Sequence, residues 1–207
     1  MRSFLVAVLL GLWLGAAGTL AQGPQALLNR AVAEFQDGQF ARSAATFDEL
    51  ATARPDLAPQ LWQRGIVLYY AARYKDCREQ FESHRTVNPD DVENAAWHFL
   101  CVARQENAKD ARAALLPVGP DLRAPMREVY EMFRGSLTPE QVLAAARDSV
   151  AARFYAHLYI GLYSEAIGRN DLARTHIIEA ASDEYARAGG YMHMVGRVHA
   201  KVLRAWF

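Results

Sequence analysis

FARSAATFDELATARPD, residues 40–56, and YKDCREQFESHRTVNPD, residues 74–90, decide how this chain is read. Laid over one another they share an opening aromatic, a Phe seven residues on and a Pro eight beyond that, at an offset of 34 residues. The same shift places Arg30 on Arg64, Ala31 on Gly65 and Asp56 on Asp90. A fixed period of this length marks a supersecondary unit that cannot bury its apolar face alone and does so by stacking on its neighbours. No sustained period-two alternation and no Asn-Gly hairpin signal points to a strand. The sequence predicts an all-α array of helix-turn-helix repeats.

The punctuation of these units resembles the tetratricopeptide repeat (TPR) family. Gly65 takes the small position where the first helix (A) of a unit meets the second (B), Tyr74 opens helix B, Phe81 is the large core residue and Pro89 closes the unit. Cys77 and His84 stand where the family usually has Ala. The preceding unit fills the same slots with Ala31, Phe40, Ser43, Phe47, Leu50 and Pro55. A later one, FYAHLYIGLYSEAIGRNDLARTHIIEAA, offers Gly161, Gly168, Ala173, Ile177 and Ala180, with Tyr185 where the terminal Pro would be. Repeats are thus expected at about 24–57, 58–91 and 154–187. A degenerate one is expected at 92–117, where Phe99 replaces the Gly and Ala108 the aromatic.

Between the third and last repeats the pattern changes. PMREVYEMF and LTPEQVLAAAR read as short amphipathic helices inserted within 122–147. In the second, Thr138 is the expected N-cap, Pro139 the first helical residue and Gln141 the partner that completes a capping box. After Gly189-Gly190, residues 191–207 place Met194, Val195, Val198, Val202 and Trp206 along one face. That spacing suits a terminal helix covering the open end of a stack.

The 207 residues carry 23 basic and 23 acidic side chains, so no global field draws the chain to nucleic acid or to an anionic membrane. Phe4–Ala21 is an uncharged apolar run after Arg2 with small residues before Gln22, the form of a secretory signal peptide cleaved after Ala21. Left uncleaved, its 18 residues would approach the ~20 needed for a membrane anchor. The remainder has the size of one domain, 22–207.

FESHRTVNPDDVENAAWHFLC, residues 81–101, concentrates polar side chains and raises the question of a metal or catalytic cluster. In the repeat register it is a joint: Pro89 ends a helix, Asp90 is the expected N-cap of the next and Glu93 its capping-box partner. A zinc site from Cys77, His84, His98 and Cys101 is disfavoured. Residues seven apart on one helix are separated by about 10 Å, whereas zinc ligands sit about 2 Å from the metal. In an exported chain Cys77 and Cys101 can bridge, but two buried thiols acting as small hydrophobes are the preferred reading. No H-E-x-x-H, G-x-S-x-G or phosphate-binding glycine loop appears. No catalytic residue, metal or cofactor is expected.

What the resemblance implies is recognition of another protein. In TPR proteins the A helices line a concave face that takes an extended peptide or a partner helix. Its inward positions fall here on Leu28, Val32, Phe35, Trp62, Ile66, Tyr69, Tyr70, Tyr155, Leu158 and Leu162. The Lys, Arg and Asn clamp that some members use for a peptide carboxylate is missing. Two readings stay open. Either the aromatic groove takes an apolar segment of a partner or of a second copy, or the inserted helices at 122–147 fill it and the aromatics are core. The export signal, the few repeats and YIGLYSEAIG at 159–168 are similar to bacterial envelope TPR proteins of the NlpI lipoprotein type, although no lipid-attachment Cys follows the apolar run. The expectation is a non-enzymatic adaptor in the periplasm or secreted. Its alternatives are a structural subunit of a homo-oligomer and, further off, an all-α enzyme around His84 and His98.

Overall fold

The computed structural model describes residues 23–205, all helix, turn and loop; the apolar run at 4–21 and the last two residues, Trp206 and Phe207, lie outside them. Among the described residues eleven α-helices follow one another: α1 (Pro24–Gln36), α2 (Phe40–Ala53), α3 (Trp62–Tyr70), α4 (Tyr74–His84), α5 (Val92–Gln105), α6 (Ala108–Ala113), α7 (Met126–Arg134), α8 (Pro139–Ala146), α9 (Val150–Ala166), α10 (Asn170–Ala180) and α11 (Ala186–Ala205). They pack as consecutive pairs, α1 on α2, α3 on α4, α5 on α6, α7 on α8 and α9 on α10, and the pairs stack. The fold is all-α, a helical array. No described helix is long and apolar enough to cross a membrane.

The repeat markers do their work at the crossings within pairs. A Cβ on Gly65 would come within 2.6 Å of the Phe81 ring, and one on Gly161 within 2.6 Å of the Ile177 side chain. The helices approach closely because one residue lacks a side chain. In the first pair Ala31 suffices, and the Ser43 hydroxyl donates to its carbonyl at 2.7 Å. Phe47, Phe81 and Ile177 are each at most 1% exposed. Ser43, Cys77 and Ala173, at matching places in their B helices, are wholly buried.

Three local expectations meet the structure differently. Asp91, not Asp90, caps α5, its carboxylate accepting from the Glu93 amide at 3.0 Å. Glu93 therefore sits one position too early to complete a capping box, and its side chain turns inward. Cys77 and Cys101 form a disulfide between α4 and α5, with Cα atoms 5.9 Å apart, in place of two buried thiols. The pair meets because both face the seam between the second and third pairs. At α8 the expected box is present, with the Thr138 amide donating to Gln141 Oε1 at 2.8 Å.

The terminal helix does more than close an end. Gly190, at φ 50° and ψ −127°, breaks α11, and the main run begins at Tyr191. From there α11 packs on α9, α10 and α1. Tyr191 meets the Trp62 ring edge-on at 5.0 Å, and His199 Nδ1 lies 2.9 Å from the Tyr70 hydroxyl. Inserted helices α7 and α8 pack instead against α5 and α9. At Trp62 and Tyr70 the inner aromatic face is thus occupied by the chain's own C-terminal helix, and from residues 122–147 Arg123 reaches Tyr155.

Candidate functional site

A cavity of about 220 Å³ lies where the N-terminal ends of α3, α5 and the main run of α11 converge. Trp62, Ile66, Phe81, Trp97 and Met192 give it apolar and aromatic walls. His84, Asp91, Glu93, Asn94 and Arg123 supply the polar ones. Six of the ten, from Phe81 to Trp97, belong to the polar stretch 81–101. That stretch is a joint between repeats, and the same joint builds the cavity.

Arg123 is the side chain no spacing announced. It arrives on the connector between α6 and α7, which is tied over the start of α5. Arg85 Nε donates to the Pro117 carbonyl at 2.9 Å, the Gly119 amide to the Pro89 carbonyl at 3.1 Å, and the Val92 amide to Asp121 Oδ2 at 3.2 Å. So held, Arg123 reaches three carboxylates at once. Nη1 donates to Glu93 Oε1 at 2.7 Å, and Nη2 to Asp91 Oδ1 and Asp121 Oδ2, each at 2.6 Å. Nε takes Asp121 Oδ1 at 3.0 Å, so every nitrogen of the guanidinium is engaged.

Glu93 is the pivotal carboxylate. Its second oxygen accepts the Tyr159 hydroxyl at 2.5 Å. Burial, reinforced by Asp91, pushes its carboxyl above the usual range, while Tyr159 and Arg123 pull the other way. Burial and the charge on Glu93 drive the Tyr155 phenol up to about 12, so it stays protonated beneath the Arg123 guanidinium, which lies 5.9 Å from its ring centre. One guanidinium faces three carboxylates. Asp91 and Asp121 are further satisfied by backbone amides; Glu93 is the one whose charge rests on side chains alone.

Two polar atoms on the lining residues have no hydrogen-bond partner among the described residues: Asn94 Oδ1 and Trp97 Nε1. Asn94 is 4% exposed and Trp97 1%. An orphaned buried donor or acceptor costs about 1–3 kcal/mol, and both of these belong to residues on the cavity wall. His84 Nδ1 must carry its proton, because its neighbour at 2.8 Å is the Pro59 carbonyl, which can only accept.

A second buried polar chain runs along the inner face. Arg104 donates to the Tyr69 hydroxyl at 3.1 Å and to Glu165 Oε1 at 2.5 Å. His199 Nε2 stands 2.9 Å from Glu165 Oε2. Opposing burial, His199 and Arg104 hold the Glu165 carboxyl below its ordinary value. This chain fastens α11 to α3, α5 and α9, and none of its members lines the cavity.

Of the ten residues assigned to the concave face, Trp62 and Ile66 line the cavity and Tyr155 lies under Arg123. Phe35, Ile66, Tyr69, Leu158 and Leu162 are buried; Leu28, Val32, Trp62, Tyr70 and Tyr155 are partly buried and packed on the core. His98 does not join His84 at the cavity; its Nε2 lies 3.3 Å from Glu82 Oε1. Among the described residues no group of three or more His, Cys, Asp or Glu is placed to hold a metal ion. Compared with known proteins, the chain matches no family model and no curated protein.

Proposed function

We propose that the protein is an exported, non-enzymatic adaptor of the TPR type that binds another protein at the rim of the cavity. The observation that carries this reading is the connector at 114–125. It is pinned over the start of α5, presents Leu122 at 95% exposure and supplies Arg123 to the cavity beside it. The partly exposed Arg123 and Trp62 on the recess are of the residue types that anchor interfaces, and Leu122 adds apolar surface beside them. Seating of α11 on Trp62 and Tyr70 moves the recognition surface from the inner groove to this rim. The interlocked pairs at Gly65/Phe81 and Gly161/Ile177 support the repeat assignment. Leu122→Glu, which touches no buried group, tests the proposal. Retention of one partner from a solubilised envelope fraction by the wild-type protein, lost with the folded variant, supports it. Saturable binding unchanged by Leu122→Glu overturns the rim assignment, and the lack of any saturable binding or self-association overturns the adaptor reading.

A further inference from the structure

We propose that the cavity recognises an organic cation, an ammonium or guanidinium head, held between Trp62 and Trp97 with Glu93 as its counter-charge. Four observations converge. On the cavity wall carboxylates outnumber guanidinium groups, Asp91 and Glu93 against Arg123. Glu93 has the least backbone support of the three carboxylates that Arg123 reaches, and its side chain is only 14% exposed, where a charge is least screened. Two indole rings and Phe81 form the walls, and an aromatic face attracts a cation within about 6 Å. Asn94 Oδ1 is an unpaired acceptor, as an N–H cation requires.

Competing ligand classes fit less well. An anion would have to strip Arg123 of a carboxylate whose partners are all within 3.0 Å. A hard metal ion asks for about six oxygen ligands, and the walls offer two carboxylates, both already engaged by Arg123, and one amide oxygen among indoles and a thioether. A purely apolar ligand would leave Asn94 and Trp97 unsatisfied. The unpaired Trp97 Nε1–H adds a requirement: an acceptor on the ligand, near its cationic head. The 220 Å³ volume is below the ~300–1,000 Å³ usual for drug-sized ligands. The occupant is therefore a small amine or the tip of a longer molecule, such as a Lys or Arg side chain presented by a protein bound at the rim. Chemistry is the same in both cases. Cation recognition stands apart from the adaptor reading, because a free amine satisfies it.

The test is calorimetric titration of the purified full-length protein with five probes: choline, agmatine, the neutral choline isostere 3,3-dimethylbutanol, succinate, and an unstructured peptide containing Arg and Lys. Indole fluorescence of Trp62 and Trp97 serves as a second readout. The expected result is saturable binding of at least one cation, at least tenfold tighter than the neutral isostere, with no uptake of succinate. Glu93→Gln, which keeps shape and removes charge, lowers that affinity at least tenfold, and Trp97→Phe, which removes the indole N–H, weakens it less. Tight binding of an unstructured Arg- or Lys-containing peptide, with free amines bound weakly, assigns the head group to a partner; equal binding of the free amine assigns it to a small ligand. 3,3-Dimethylbutanol bound as tightly as the better of the two cations, preference for succinate, or no binding by any probe overturns the proposal. The probe comparison is made on the wild-type protein, so its outcome is decisive whether or not either variant folds.

Discussion

The Cys77–Cys101 bridge gives a prediction whose size follows from sequence separation alone. The two residues are 24 apart, and both lie in helices that the rest of the fold already positions. Breaking the bond leaves native packing nearly intact and releases the unfolded chain from a closed loop. With ΔS near −2.1 − 1.5R ln n cal/mol/K, a loop of that length is worth about 3.5 kcal/mol at 25 °C. For a domain of this size each kcal/mol moves the melting temperature by about 2–4 °C, so reduction should lower it by roughly 7–14 °C. The assay is paired circular dichroism melts of protein secreted into an oxidising medium, one sample left untreated and one reduced in denaturant and refolded with reductant. Thiol titration of the untreated, denatured sample should find no free thiol. Two free thiols there, or melts that coincide within a degree, would refute the reasoning.

Other consequences are open to direct measurement. Gly161→Ala forces a Cβ to 2.6 Å from the Ile177 side chain, as Gly65→Ala does against Phe81. Each should cost about 1–3 kcal/mol in urea unfolding, and a loss below about 0.3 kcal/mol would mean that the helices separate without penalty. His157 and His176 place their Nδ1 atoms 3.0 Å apart, and burial holds both rings below the ordinary histidine value. The unfolded state therefore binds more protons, so the stability these rings contribute is complete above about pH 6.5 and is lost as pH falls below it. The urea midpoint should drop from pH 7.5 to pH 5.5, and a His157→Gln/His176→Gln variant should drop less; an equal drop in both would exclude the pair as the cause.

The period of 34 residues was legible because it is written in residue size. At two crossings a residue without a side chain, Gly65 or Gly161, faces a large one, Phe81 or Ile177, and that contrast of sizes is visible in the sequence. The cavity was less legible. Four of its polar residues lie inside a stretch whose capping and turn chemistry already accounts for such residue types, so with Asp90 and Glu93 read as caps the inward geometry of Asp91 and Glu93 did not show. Arg123 left no trace at all, because its partners Asp91 and Glu93 are about 30 residues upstream and no local spacing joins them. Helix α11 was legible as an amphipathic helix but not in its address, since one apolar stripe suits either an open end or an inner face. The bridge was undecidable for a similar reason: a buried thiol and a half-cystine obey the same periodicity.

The placement of α11 has one more consequence. It touches α9 and α10, its neighbours in sequence, and also α1, the first helix of the described chain. In an open array, stability is close to a sum over units and nearest-neighbour contacts, so ends fray and the middle can persist. Here the last helix spans from the end of the array to its beginning, and loosening either terminus is felt at the other. The molecule should melt as one cooperative block instead of unzipping. The contacts that close α11 onto α1 form late, because they join the two ends of the described chain.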